Sequence, residues 1–246
     1  MTEDKPKRKK KRNAEEIKEA IFKATETLVI AKGFDNVLIT EIMELAEVEP
    51  KVLYKHFSNI NDLFDNFIRQ YDYWFLDLCK LHIDKKNPKK SFKKLLSGLI
   101  NSLYDNPVMQ KILIWELSNT NDLTERTAKN RETNSGSLLK FYSESLNKNF
   151  DYFSSLLISG IYYLILHKDI STFCGINYNN KDNKLLLIEF VEKIIDSYYG
   201  TDSSVSSEKK EIALSLLENG VDINIISKST GLSVKEIKKM KNKGNA

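Results

Sequence analysis

From Ala14 to Met240 apolar residues recur at steps of three and four, and almost nowhere do they alternate as a half-buried strand requires. A chain patterned with the helical period buries such stripes by packing helix against helix, so the fold class is all-α. The spacing predicts a first helix over Ala14–Ala31, with Ile17, Ile21, Ala24, Leu28 and Ala31 on one face and Gly33 ending it. A short second helix fits Ile39–Ala46, where Ile39, Ile42, Met43 and Ala46 share a face. Glu47-Val48-Glu49 breaks it, and Pro50 opens a third, because the N–H that proline lacks has no intrahelical partner at the first helical position. Leu53 and Phe57 point inward from this third helix, while Lys51, Tyr54, Lys55 and Ser58 gather on its other side. Asn59 reads as the cap of a long fourth helix over Asn61–His82, with Asp62 at the capping-box position.

Five more helices are expected over Lys89–Tyr104, Val108–Leu117, Leu123–Leu146, Phe150–Lys168 and Asn183–Tyr199, with Pro88 and Pro107 at the first turns of two of them. A polar break, TDSSVSSE, then precedes a tail that restarts the helical period at Ile212, Leu216 and Leu217, pauses at Gly220 and again at Gly231, and ends in a helix opened by Ser233 and Glu236. The expected segments are a basic arm (1–13), a short-helix domain (14–62), a helical domain (63–200), a linker (201–207) and a small helical tail (208–246).

Composition narrows the function classes. The net charge of +4 is uneven: residues 1–12 hold seven Lys or Arg against two acids, residues 208–246 hold eight Lys against five acids, and the middle is acidic. A polyanionic partner would therefore meet the ends. No apolar run follows the basic start, so it is not read as a secretory leader, and the most apolar stretch, Leu156–Leu166, has about half the ~20 residues a membrane span needs. Cys79 and Cys174 are far apart and suit a reducing cytoplasm. His56, His82 and His167 are isolated, and no nucleophile elbow, zinc-protease or phosphate-loop motif occurs, so neither an enzyme nor a metal or other cofactor is expected.

Two short helices joined by a tight turn, the second exposing Lys and Tyr, are the geometry that sets a recognition helix in the DNA major groove. The segment GFDNVLITEIMELAEVEPKVLYKHFSNINDLF, over Gly33–Phe64, resembles the DNA-binding region of the tetracycline-repressor-like (TetR) family in Gly33-Phe34, Ile42, Ala46, Val48, Leu53-Tyr54, Phe57 and Leu63-Phe64. The resemblance implies a three-helix DNA-binding domain followed by a helical ligand-binding and dimerisation domain, in a repressor that binds a palindromic operator as a homodimer. It implies phosphate contacts for Thr40, Tyr54 and His56, and base-edge contacts for Pro50, Lys51 and Lys55. Lys can donate to guanine and Pro can pack on a thymine methyl, in keeping with those roles. Departures from the family pattern are Glu47 in the turn, Glu49 as cap, Ile60 at the fourth helix, and Val37-Leu38 at the second helix entrance. They leave a second reading, a protein-interaction module whose helix-turn-helix binds DNA weakly.

In the resembled family the last two helices of the regulatory domain pair with their copies. Here Ser154, Ser155, Ser159 and Gly160 would allow close approach, and Leu156, Leu157, Ile161 and Leu164 would supply burial. Trp74, Phe75, Trp115, Tyr142 and Tyr162 are the candidates for lining a small-molecule effector pocket, with core packing as the alternative for each. The tail looks like a second small helix-turn-helix and resembles the tail modules of some nuclease- and transposase-like bacterial proteins. Lys235, Lys238, Lys239 and Lys241 are its candidate contacts to DNA or to an acidic partner, and docking or partner contact is the expectation over base reading.

Overall fold

The computed structural model describes residues 12–146, 149–199 and 204–243. The expected basic arm, apart from Arg12 and Asn13, lies outside them. Every regular element among the described residues is a helix: α1 (Ala14–Lys32), α2 (Ile39–Ala46), α3 (Pro50–His56), α4 (Ile60–Ile68), α5 (Trp74–His82), α6 (Pro88–Tyr104), α7 (Pro107–Ser118), α8 (Asp122–Leu146), α9 (Phe150–His167), α10 (Lys181–Tyr199), α11 (Ser204–Glu218), α12 (Ile223–Thr230) and α13 (Val234–Lys243). The chain divides into two compact units between Ile188 and Glu189, inside α10. Helix α11 begins at Ser204, within the stretch expected to be a linker.

In the first unit, α1 to α4 close around Ile21, Val29, Phe34, Ile42, Leu53, Phe57, Leu63 and Phe67, all buried. Rings tie the group together: Phe22 lies 5.8 Å from Phe57 and 5.9 Å from Phe67, and Phe34 meets Phe64 edge-on at 5.1 Å. The buried face of α1 is turned from the expected stripe. It runs Ile21, Ala24, Thr25 and Val29, with Ala31 exposed, because Thr25 satisfies its hydroxyl on the Ile21 carbonyl at 2.8 Å and can go inside. A second core forms where α5, α6, α8 and α9 meet, around Phe92, Leu95, Leu96, Leu99, Tyr142 and Phe150. Phe92 packs edge-on against Phe150 at 4.9 Å, and the Tyr142 hydroxyl shares a 2.8 Å hydrogen bond with Ser91 Oγ.

The expected long fourth helix is broken. After α4 a single 3-10 turn, Arg69–Tyr71, intervenes before α5. Asp72 lies within the break, and α8 holds it from outside: Arg126 Nη1 donates to its carboxylate at 3.0 Å, and Asn134 Nδ2 donates to its carbonyl at 3.4 Å. Arg126 Nε also lies 2.8 Å from Asp65 Oδ1, so one guanidinium ties α4 and the break to α8.

The second unit is small but has its own core. Ala213, Ile226 and Ile237 are fully buried, Leu232 is nearly so, and Leu216, Leu217, Val221, Ile223 and Met240 pack around them. These residues come from α11, α12, α13 and, for Val221 and Leu232, the two turns between them, so each helix of the tail buries its apolar stripe against the other two.

Candidate nucleic-acid interface

The turn between α2 and α3 determines where the outward face of α3 points. Helix α2 stops because Glu47 adopts a left-handed backbone (φ 50°, ψ 51°), a conformation that costs a non-glycine residue about 1 kcal/mol. The Val48 N–H then closes on the Met43 carbonyl at 3.0 Å. Arg12 secures the corner from before α1: its guanidinium donates to the Ala46 carbonyl at 2.9 Å and also to the Glu47 carbonyl. These are the acceptors a helix C-terminus leaves unsatisfied. Sequence reasoning had grouped Arg12 with the arm; its long reach to residues 46 and 47 had no local signal.

The entrance to α2 lacks a side-chain cap from Leu38, as expected. Glu41 takes over from the third helical position, accepting the Leu38 N–H at 2.9 Å while Lys32 Nζ donates to it at 2.6 Å. Both interactions favour the carboxylate, the lysine more, and hold its pKa below the ordinary glutamate value. Glu49 makes no side-chain cap to α3. Asn59 does cap α4, accepting the Asp62 N–H at 3.0 Å, and Asp62 in turn accepts from the Ser58 N–H at 2.8 Å.

With the turn fixed, Leu53 and Phe57 anchor α3 and the remaining side chains face out. Pro50, Lys51, Tyr54 and Lys55 are exposed, Tyr54 by 51%, and His56 is half-buried beside Phe57 with ring centroids 6.3 Å apart. Thr40 is exposed near the start of α2. Five of the six expected DNA contacts are therefore solvent-facing, and Lys51, Tyr54 and Lys55 lie on one side of α3. The exposed acids Glu47 and Glu49 lie in the turn that precedes it.

The five aromatic effector-pocket candidates have different surroundings. Trp115 stacks on Phe34 at 4.7 Å and donates through Nε1 to Asp35 Oδ1 at 3.0 Å, which places it where α7 meets the short-helix domain. Trp74 donates to Ser102 Oγ at 2.8 Å, Phe75 is buried, and Tyr142 belongs to the core with Phe92 and Phe150. Tyr162 is different. Burial pushes its phenol up to about 12, against the pull of Arg131, with Glu116 and Cys79 also close enough to act on it. Glu116 pairs through Oε2 with Arg131, its other oxygen has no hydrogen-bond partner among the described residues, and burial raises its pKa despite the arginine. A separate open groove of about 320 Å³, lined by Glu132, Gly136, Leu139, Lys140, Asp151 and Ser155 among others, contains none of the five aromatics.

Among the described residues no group of His, Cys, Asp and Glu side chains is arranged to hold a metal ion, and no helix is long and apolar enough to cross a membrane.

The family model for bacterial regulatory proteins of the tetR family matches residues 21–67, the span from the first buried residue of α1 to the end of the aromatic core in α4. Those residues hold the α2–turn–α3 pair and the aromatic core beneath it. Solved structures similar to the chain extend the likeness in fold well past it. A transcriptional regulator (TerR/AcrR family) from Aquifex aeolicus VF5 is 18% identical with a TM-score of 0.56, over 74% of this chain and 99% of its own. Salmonella enterica GusR is 12% identical with a TM-score of 0.53, over 75% and 96%. A TetR family transcription regulator from Marinobacter aquaeolei VT8 is 14% identical with a TM-score of 0.51, over 73% and 95%. No curated protein matches the chain. At the other end, residues 206–242 match the C-terminal HTH domain of the Rpn/YhgA-like nuclease family, the three-helix tail that follows the TetR-type architecture.

Proposed function

We propose that the chain is a ligand-responsive repressor that binds a palindromic operator as a homodimer. The observation that carries this reading is the outward face of α3, where Lys51, Tyr54 and Lys55 project from a helix anchored underneath by Leu53 and Phe57. Thr40, Tyr54 and His56 hold phosphates, which sets the register of the helix, and Pro50, Lys51 and Lys55 meet base edges.

Dimerisation is supported by apolar surface that the single chain leaves open. On α9, Tyr152 and Leu156 are 79% and 73% exposed, and Ser155, Ser159 and Gly160 beside them are exposed too, with open space around Gly160. On α10, Leu185, Leu186 and Phe190 are exposed. Such stripes favour helix pairing with a second copy, which would set two recognition helices about 34 Å apart. Ser154 and Ile161, expected at that interface, are buried within the chain itself. The effector reading draws on the largely buried Glu116–Arg131 ion pair between α7 and α8, whose charges act on the Tyr162 phenol. A shift of α8 or α7 on ligand binding can reach the DNA-binding domain, through Arg126 to Asp65 and through Trp115 to Asp35.

The test is selection of genomic DNA fragments by the full-length chain, followed by mobility-shift titration of the fragments recovered. Wild type should shift a palindromic fragment in a salt-dependent manner and in preference to a mixed-sequence duplex of the same length, and Lys51→Glu and Tyr54→Ala should each abolish that preference. Equal binding by all three proteins would sink the reading and leave the interaction-module alternative.

A further inference from the structure

We infer that the C-terminal three-helix unit is a second duplex-DNA-binding site, with α13 as its reading helix. Its backbone and core repeat those of the α2–α3 segment, and this inference rests on the reading of α3 as a DNA-contacting helix.

The α2–turn–α3 segment and the α12–turn–α13 segment follow the same backbone plan. In each, an eight-residue helix ends on one residue in the left-handed conformation, Glu47 at φ 50° in the first and Gly231 at φ 71° in the second. An apolar residue follows, Val48 or Leu232, then the residue that precedes the next helix, Glu49 or Ser233. Aligning the two turns aligns the cores: Ile42 with Ile226, Ala46 with Thr230, and Leu53 with Ile237, all six buried. The plan is better capped in the second copy. Ser227 Oγ donates to the Leu232 carbonyl at 2.7 Å across the turn, and Ser233 and Glu236 complete a capping box.

The same alignment puts Lys235 where Lys51 stands, Lys238 where Tyr54 stands and Lys239 where Lys55 stands. All three lysines are exposed, on the face opposite Ile237 and Met240. Glu236 is the acid of α13, and its carboxylate is drawn to the N-terminal end of the helix, where it accepts from Ser233 Oγ at 2.6 Å and from the Ser233 N–H at 2.9 Å. That capping lowers its pKa and keeps its charge away from the lysine face. Lys241, the fourth candidate, has its side chain outside the described residues.

A protein partner would need apolar anchor area at the centre of its contact. The unit's exposed large apolar side chains, Ile212, Leu214 and Ile225, lie on α11 and α12, whereas the exposed face of α13 offers ammonium groups spaced three and four residues apart, which suits a row of phosphates. Docking of the tail onto its own domain or onto a partner, the expectation from sequence, gives way here to DNA for this reason.

The experiment uses the full-length chain and a labelled mixed-sequence duplex of about 30 base pairs, read by fluorescence anisotropy across a salt series. In a Lys51→Glu/Lys55→Glu background, duplex binding should persist. Adding Lys235→Gln, Lys238→Gln and Lys239→Gln should then lower the slope of log affinity against log salt by roughly 2 to 3, because each neutralised phosphate contributes about 0.9. The corresponding triple Lys→Arg variant should keep the slope, and a thermal melt of each protein checks that the unit still folds. The inference is overturned if the Lys51→Glu/Lys55→Glu protein no longer binds the duplex, or if the Gln variants leave the slope unchanged. The second result would assign the face to a protein partner.

Discussion

Asp35 joins the DNA-binding domain to α7 by accepting two side-chain hydrogen bonds, from Trp115 Nε1 at 3.0 Å and from Asn119 Nδ2 at 2.9 Å. Asp35→Ala removes both at once. Asn119 sits at the edge and can turn to water, whereas the Trp115 side chain is only 8% exposed and its indole N–H is left without an acceptor. A net hydrogen bond to a charged group contributes about 1.5–3 kcal/mol, and the exposure of Asp35 places this one near the lower end, at about 1.5 kcal/mol. Trp115→Phe loses the same bond but keeps most of the stacking on Phe34, so its cost should also be about 1.5–2 kcal/mol. Because both substitutions delete one shared interaction, the double variant should cost about 2 kcal/mol, not the ~3 of a simple sum. Urea denaturation of the four proteins, followed by far-ultraviolet circular dichroism, measures the coupling. Additive losses, with a coupling energy below about 0.3 kcal/mol, would refute the claim that Asp35 and Trp115 form a working link.

Glu47→Gly should stabilise the chain by about 0.5–1 kcal/mol, since glycine takes the left-handed turn without the Cβ penalty, and should tighten duplex binding by removing an acid beside α3; a thermal melt and an anisotropy titration read the two effects. The Glu41 carboxyl is held below its ordinary value by Lys32 and the Leu38 N–H, so what it adds to stability is present above about pH 4.5 and is lost as pH falls through the folded-state pKa. Carboxyl titration by nuclear magnetic resonance should show that low midpoint, and Lys32→Ala should move it up. Burial pushes the Cys79 thiol to about 12 while Cys174 is exposed, so a thiol reagent at mildly alkaline pH should label Cys174 in the native chain and both cysteines only after unfolding.

The order and extent of the helices were legible because period, proline and capping residues are local signals. Pro88 and Pro107 do open α6 and α7, and Asn59 and Ser233 do cap where they were expected to. What was not legible depends on residues far apart in the chain. The long fourth helix looked continuous because its apolar spacing is continuous, and it breaks where Arg126, Asn130 and Asn134 of α8 converge on Asp72. Trp115 and Tyr142 carry the same sequence signal whether they line a pocket or fill a core, and the partners they bond, Asp35 for one and Ser91 for the other, lie far off in the chain. On α3, four-residue spacing was enough to separate Leu53 and Phe57 from Lys51, Tyr54 and Lys55. The capping of α2 by Glu41 in place of Leu38 was open to reading three residues on, and was missed.

The hold that Arg12 keeps on the Ala46 and Glu47 carbonyls makes the beginning of the chain part of the reading head. Tryptic nicking on the C-terminal side of Arg12 would leave every helix from α1 onward covalently intact, yet release a side chain that pins the corner before α3. A start site trimmed past Arg12 would act on the corner before α3 as a point mutation in the turn would. Preparations that differ only in those few leading residues are then different reagents for any DNA-binding measurement.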